Sequence, residues 1–456
     1  MGEPIANEGE SKGTWRFPRV FWMANGAELF ERAAFYGMFI ALTLYLSREV
    51  GFSDVTGHWI AAGFSASLYL VPTFTGALAD KMGFRRALLL AFALLTAGYG
   101  LLGAFQTKPT TIVALLLVVL GGSFVKPIIS GTVAKSSDAH NRARAFSIFY
   151  QVVNIGAFAG KTVAKPLRVE LGLASINLYA ASMALCALIL VFVFYRGVDA
   201  KGEGKSLSEI GRGLLRVLGN GRFMALIFIV AGFWAIQGQL YASMPKYVLR
   251  MIGEDASPEW YANVNPFVVV ILVVPITHLV RRLRPVTSIG IGLFIIPLTA
   301  LSIAASPVLE QLTGGSLDLL GYAVHPITVA MITGIALQGV AECFLSPRFL
   351  EYASKQAPEG EVGLYMGYSH LTTFFAWLIG FAISGYLLEA FCPDPKTLDA
   401  ALQAQRMAAL SGDGAMPAVY GNAHYIWYVF TGIGVAAFLG LLVFRFVTDR
   451  ADARRA

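Results

Sequence analysis

The chain has 456 residues, of which 56% are apolar and only 14% carry a charge, and long apolar stretches recur along nearly its whole length. Each stretch can cross a hydrocarbon core of about 30 Å at about 1.5 Å per residue, which excludes a soluble enzyme with a single anchor. The net charge of +7 comes from loops on one predicted side of a membrane, so it indicates topology rather than a nucleic-acid partner. We therefore predict an all-α integral membrane protein in contact with the lipid bilayer.

The chain order predicts twelve transmembrane helices joined by mostly short connections. Basic residues such as Arg19, Arg86 and Arg282 collect in the loops of one side, which predicts that both termini are cytoplasmic. The N-terminal sequence has no cleavable apolar segment and no Asn-x-Ser/Thr sequence occurs, so we expect an uncleaved protein of a bacterial inner membrane. The predicted spans are 18–48, 56–80, 84–106, 110–136, 142–168, 173–197, 221–250, 259–281, 285–307, 322–348, 363–391 and 424–447.

The longest predicted cytoplasmic connection divides these spans into two sets of six. It gives an N-terminal six-helix bundle over 1–196, a linker over 197–220 and a C-terminal six-helix bundle over 221–456. Apolar residues at helical spacing and a capping box of Ser206 and Glu209 predict an amphipathic linker helix on the inner membrane surface. Two bundles joined in this way are the organisation of a secondary transporter, whose site lies near the bilayer midplane between them.

Three charged residues of the first span fall near the middle of the bilayer, where charges are unfavourable. Glu28, Glu31 and Arg32 share one helical face with Tyr36, and Glu28 precedes Arg32 by the favourable spacing of four. We interpret them as a cavity wall that holds a charged substrate or protons. The alternative is an internally neutralised structural cluster.

Each predicted bundle also carries one charged residue in its cytoplasmic half, Lys126 in the fourth span and Glu342 in the tenth. A pair between them would close the inner side when intact and loosen when Glu342 takes a proton. Alternatively, Lys126 bonds only to backbone carbonyls that Pro127 leaves free.

Further polar residues are predicted at similar depth. Asn154 and Asn265 can donate and accept hydrogen bonds, as a substrate site requires, although either can equally join helices. Lys161 shares a face with Asn154 and is predicted either to face an outer cavity or to be structural. Lys165, one turn further out, is expected to extend to the membrane interface.

The connection between the second and third predicted spans has the pattern Gly-x3-Asp-x2-Gly-x-Arg-Arg. It consists of Gly76, Asp80, Gly83, Arg85 and Arg86. This pattern resembles the signature loop of the major facilitator superfamily, in which it latches helices during the conformational cycle. The resemblance implies a transporter without indicating its cargo.

A longer set of motifs occurs in order over most of the chain. The motifs include ELFERAAFYG from Glu28 to Gly37, FSIFYQVVNIG from Phe146 to Gly156, ECFLSP from Glu342 to Pro347, Ala357-Pro358 and Met366-Gly367. Together they resemble the proton-coupled oligopeptide transporter family. The resemblance implies that Glu28, Glu31 and Lys126 take part in proton coupling and that Lys126 and Glu342 form the inner gate. It also implies a peptide site lined by Arg32, Tyr36, Tyr69, Lys126, Asn154 and Asn265.

The sequence departs from this family where an outer gate is expected. The first-span arginine common in bacterial members is Phe39, and the seventh-span glutamate is Gly238. Because loss of both partners avoids an unpaired buried charge, we expect an apolar or aromatic outer gate. The titratable histidine of animal members falls at Ala62, whereas His58 is expected at the membrane interface.

The sequence therefore predicts a carrier that moves di- or tripeptides, or related peptide-like molecules, with protons by alternating access. No cofactor is expected, and the proton gradient is the expected energy source. The alternatives are a related carrier of another organic anion or amphiphile, uncoupled or exporting, and a sensor that has lost transport. An enzyme is not expected, because the six histidines and three cysteines are scattered without metal-ligand spacing.

Overall fold

A computed structural model describes residues 16–138, 141–196, 206–319, 321–356, 365 and 367–453. The motif residues Ala357, Pro358 and Met366 and the linker segment 197–205 lie outside the described residues. Helices form in all twelve predicted spans, although the tenth begins with a short strand over Tyr322–Val324, so the predicted all-α fold class is confirmed.

The first six predicted spans form helices, and the first span packs mainly against the fifth and sixth. Pro72 interrupts the second span, and its two helical parts meet at a bend of 49°. Gly83 follows with a φ of +84°, a conformation that other residues rarely adopt. The helices are α1 (Arg19–Arg48), α2 (Asp54–Leu70), α3 (Pro72–Met82), α4 (Phe84–Ala104), α5 (Lys108–Lys135), α6 (Arg142–Pro166) and α7 (Leu173–Phe194), with a π-helical turn over Leu167–Leu171.

Helices α1 and α6 cross at unusually close range. A Cβ atom on Gly160 would lie only 2.3 Å from the Ala33 carbonyl oxygen, and one on Gly156 would lie 2.7 Å from Arg32 Cβ. Glycines four residues apart allow such a close helix crossing in membranes. The crossing positions α6 beside the charged face of α1.

The predicted linker helix is present as α8 (Leu207–Leu218), and both hydrogen bonds of its predicted capping box form. Ile210 and Val217 are buried, and the Tyr368 hydroxyl donates to the Ile210 carbonyl at 2.8 Å. Leu215 remains 69% exposed, so the helix also keeps an apolar side chain outside the protein. Its location on a membrane surface stays a prediction.

The last six predicted spans include one that is broken. The seventh span consists of two helices separated by a 3-10 turn over Gly238–Leu240. The connections add a two-stranded antiparallel hairpin and two helices, Ser306–Thr313 and Ala400–Leu410, that were not predicted. The elements are α9 (Gly221–Gln237), α10 (Met244–Met251), α11 (Pro258–Tyr261), α12 (Val264–Leu279), α13 (Pro285–Ala304), α14 (Ser306–Thr313), β1 (Leu317–Leu319), β2 (Tyr322–Val324), α15 (Pro326–Gln356), α16 (Leu371–Phe391), α17 (Ala400–Leu410) and α18 (Tyr425–Ala453).

Ten described helices are long and apolar enough to cross a membrane, and the bent pair α2–α3 makes an eleventh candidate. Helix α6 is long enough, but it carries Arg142, Arg144, Lys161 and Lys165 within 25 residues. We call α1–α7 the N-terminal half and α9–α18 the C-terminal half. The two halves meet mainly where α2 packs on α16 and where α6 packs on α11 and α12.

Candidate substrate-binding site

A cavity of about 570 Å³ lies between the halves, within the size range of small-molecule sites. Helices α1 to α6 supply most of its wall, including the Tyr99 ring of α4 and the Tyr150 ring of α6. The structure brings together six of the predicted site residues here: Glu28, Glu31, Arg32, Tyr36, Tyr69 and Lys126.

The three charges of α1 form one group. Arg32 pairs with Glu31, and its Nε atom lies 3.4 Å from Glu28 Oε1. Both carboxylates are buried, and one oxygen of Glu28 has no hydrogen-bond partner. The Arg32 guanidinium also lies over the rings of Phe35 and Tyr36. The group is therefore partly neutralised internally and also forms a charged wall of the cavity.

Lys126 is exposed within this cavity. Pro127 removes the backbone donor that would bond to the Ser123 carbonyl. That carbonyl instead accepts a hydrogen bond from the Thr75 hydroxyl at 2.8 Å. The freed carbonyl is therefore bonded to Thr75 and not to Lys126. The ammonium group of Lys126 is available to a ligand.

Glu342 forms no ion pair with Lys126 among the described residues, unlike the predicted inner-gate pair. Its carboxylate accepts hydrogen bonds from Gln237 Nε2 at 3.2 Å and from Asn265 Nδ2 at 3.3 Å. Asn265 therefore contacts Glu342 instead of lining the cavity. Asn154 is also outside the lining, since its Nδ2 atom donates to the Tyr150 carbonyl of its own helix.

The signature-loop residues lie at the junction of α3 and α4. Gly76 packs near Pro127 of α5, and the Arg85 guanidinium donates to the Phe192 carbonyl of α7 at 2.7 Å. Asp80 and Arg86 form no ion pair among the described residues. The loop thus connects helices within the N-terminal half.

Beyond the cavity, aromatic rings fill the position of the missing outer-gate pair. The Phe39 ring centroid lies 4.7 Å from that of Tyr241, 5.4 Å from Trp377 and 6.0 Å from Phe381. A Cβ atom on Gly238 would lie 3.2 Å from Trp377. We call this group the aromatic layer, and it agrees with the aromatic gate expected from the sequence.

A second layer, which the sequence analysis missed, is ionic. Asp54 of α2 accepts hydrogen bonds from Lys246 Nζ at 2.5 Å and from Arg250 Nη1 at 2.7 Å, both of α10. Arg250 also pairs with Asp394 at 3.2 Å. His58, expected at the membrane interface, is instead fully buried here and bonds the Ala242 carbonyl at 3.1 Å. Lys246 and Arg250 lie four residues apart, but their partner Asp54 is too distant in sequence for a pattern to reveal.

Further contacts between the halves lie beside this ionic layer. Arg168 Nε donates to Glu259 Oε1 at 2.5 Å, and both side chains are buried. Lys161 does not face a cavity, because its Nζ atom is buried and donates to the Ala262 carbonyl at 3.0 Å. Lys165, expected to extend to the membrane interface, instead donates to Ser257 Oγ at 2.5 Å. We call this side of the protein the closed end.

Comparison with known proteins agrees with this architecture. A sequence profile described as Major Facilitator Superfamily matches residues 26–317. The chain belongs to this superfamily. Dipeptide and tripeptide permease A of Citrobacter koseri is 24% identical, over 83% of this chain and 86% of that protein. Multidrug resistance protein MdtH of Cronobacter sakazakii is 23% identical, over 70% of this chain and 73% of that protein.

Solved structures share the superfamily fold over almost the whole chain. A peptide transporter POT in complex with sulfate aligns with a TM-score of 0.73 at 20% identity, covering 96% of both chains. A POT family transporter in complex with 5-aminolevulinic acid aligns with a TM-score of 0.71 at 18% identity, covering 96% of this chain and 98% of that chain. The resemblance predicted from the motifs is therefore confirmed.

Proposed function

We propose that this protein is a secondary transporter that carries di- or tripeptides, or similar zwitterionic molecules, together with protons. Alternating access would expose the cavity to one side of the membrane at a time. The proton gradient would supply the energy, and no cofactor would be required. The relatives are bacterial, which favours a bacterial inner membrane, and the positions of the basic loops favour cytoplasmic termini.

The observation that carries the proposal is the balanced charge of a cavity that lies next to a closed end. Two carboxylates, Glu28 and Glu31, face the cavity together with two cations, Arg32 and Lys126. A ligand with one ammonium and one carboxylate group matches this arrangement, because each end meets opposite charge without adding net charge to a buried site. Tyrosine rings around the charges supply apolar contact and hydroxyl groups.

The test is uptake of radiolabelled dialanine into proteoliposomes, with and without an inward proton gradient. We expect accumulation above the external concentration only with the gradient, and its loss when a protonophore is added. Accumulation that ignores the gradient would contradict coupling, and no uptake in either condition would contradict peptide transport.

A second candidate is a carrier of another organic anion or amphiphile, uncoupled or exporting. The aromatic layer at Phe39 and Gly238 favours it, because the protein has no ion pair at these two positions, where the peptide transporters that it resembles carry charges. The similarity to a multidrug resistance protein points the same way. Competition by larger apolar anions, but not by dialanine, in a ligand-binding assay would support this candidate.

A further inference from the structure

The two halves contribute unequally to the cavity. All four of its charged side chains belong to the N-terminal half. Among the described residues, the C-terminal half contributes only Gly367 and His370 to the lining. Because glycine has no side chain, His370 is the one described residue through which the C-terminal half can offer a polar side chain to a ligand in this cavity.

The ring of His370 is available to a ligand. His370 immediately precedes α16 and is exposed within the cavity. Its ring centroid lies 6.2 Å from that of Tyr69, and the described residues provide no hydrogen-bond partner for its ring nitrogens. The imidazole of His370 and the ammonium group of Lys126, which belong to different halves, line the same cavity.

We infer that His370 and Lys126 together bind the substrate carboxylate, so that the substrate bridges the two halves. This inference rests on the proposed function. A neutral imidazole donates one N–H hydrogen bond to a carboxylate oxygen, and the ammonium group supplies the opposite charge. A ligand shifts a conformational equilibrium only through contacts that differ between the two states. A carboxylate held by one group from each half provides such contacts, because rocking of the halves separates the two groups.

The test compares two ligands and two variants of the purified full-length protein at one fixed pH. Dialanine carries the carboxylate, whereas dialanine amide has the same shape without that charge. His370→Phe retains an aromatic ring but removes the donor, and His370→Asn retains a donor. We expect His370→Phe to weaken dialanine binding about tenfold, as for a lost hydrogen bond to a charged group, and to leave dialanine amide binding unchanged. His370→Asn should retain most of the affinity.

His278→Phe is the matched control, because His278 is exposed at the end of α12 and does not line the cavity. Equal weakening of both ligands by His370→Phe would overturn the inference, since it would indicate a structural effect. Unchanged dialanine binding in His370→Phe would overturn it as well. Failure of the unaltered protein to bind dialanine would instead contradict the proposed function itself, so the two failures are distinguishable.

Discussion

The ionic layer at the closed end should determine which side of the protein is open. In this layer Lys246 and Arg250 of the C-terminal half pair with Asp54. Among the described residues of the N-terminal half, Asp54 is the only one that supplies a carboxylate to them. Asp54→Asn keeps the size of the side chain but removes its charge. The variant should therefore destabilise the conformation described here relative to one in which the closed end has opened.

The magnitude follows from burial. Lys246 is fully buried and Arg250 is 2% exposed. In the variant both cations would therefore lack their main counter-charge, and water could not replace it. Asp394, 3.2 Å from Arg250, compensates one of them. Removing one partner of a buried pair costs about 3–5 kcal/mol, which agrees with about 4 kcal/mol for two charges about 4 Å apart at an effective dielectric constant of about 20. Opening hydrates the cations, so the whole penalty falls on the closed conformation and shifts the equilibrium by roughly two to four powers of ten.

The assay is a distance measurement between two spin labels at the closed end, one in each half. Thr107 lies in the exposed connection between α4 and α5, and Leu312 of α14 is 79% exposed. Labelled cysteines at these positions require replacement of the native Cys186, Cys343 and Cys392 by alanine. Asp54→Asn should convert a predominantly short distance into a predominantly long one.

Glu254→Gln is the matched control, because it removes a carboxylate that also pairs across the halves. Arg48 donates to both oxygens of Glu254 at 2.9 Å, but the Glu254 side chain is 59% exposed. An exposed pair contributes about 0–1 kcal/mol, so the distance distribution should change little. Identical distributions for Asp54→Asn and Glu254→Gln would refute the argument that burial makes the ionic layer decisive.

Three further variants test the cavity and the aromatic layer. Lys126→Ala should reduce dialanine uptake at least tenfold, whereas Lys135→Ala on the same helix, outside the cavity lining, should leave it near the unaltered rate. Glu342→Gln should abolish gradient-driven accumulation and leave counterflow of dialanine measurable; normal accumulation would remove Glu342 from the coupling mechanism. Gly238→Glu should lower the melting temperature and the uptake rate, because it presses a carboxylate against aromatic rings, and addition of Phe39→Arg should recover part of both. Additive losses in that double variant would contradict a pair at these positions.

The first-span charges could be predicted because their chemistry is local. Helical spacing places Glu28, Glu31 and Arg32 on one face, and no partner from elsewhere is needed to make them a cavity wall. The sequence left open whether Lys126 pairs with Glu342 or bonds to carbonyls that Pro127 leaves free. A residue distant in sequence was needed to decide between these alternatives. Thr75 lies 48 residues before Ser123, and its hydroxyl group decides where the carbonyl freed by Pro127 finds its partner.

The closed end could not be predicted because it depends on long-range contacts. When its own helix is considered alone, Lys161 looks like a candidate for the wall of an outer cavity, and Lys165 and His58 look like side chains near a membrane boundary. Each is instead bonded to the C-terminal half, at Ala262, Ser257 and Ala242 respectively. Local depth along a helix therefore estimates distance from the lipid boundary, but it cannot show that another half of the protein covers the same surface.

The separation of the two layers limits how substrate can act on the closed end. Lys246 lies eight residues beyond Gly238 in the chain, and the aromatic layer around Phe39 lies between the cavity and the ionic layer. A ligand in the cavity therefore cannot compete with Asp54 for its cations. It can favour opening of the closed end only by drawing the halves together at the cavity, which Lys126 and His370 both line. Substrate then favours opening of the closed end, whereas the ionic layer opposes it. A substrate without a carboxylate should bind without promoting this opening.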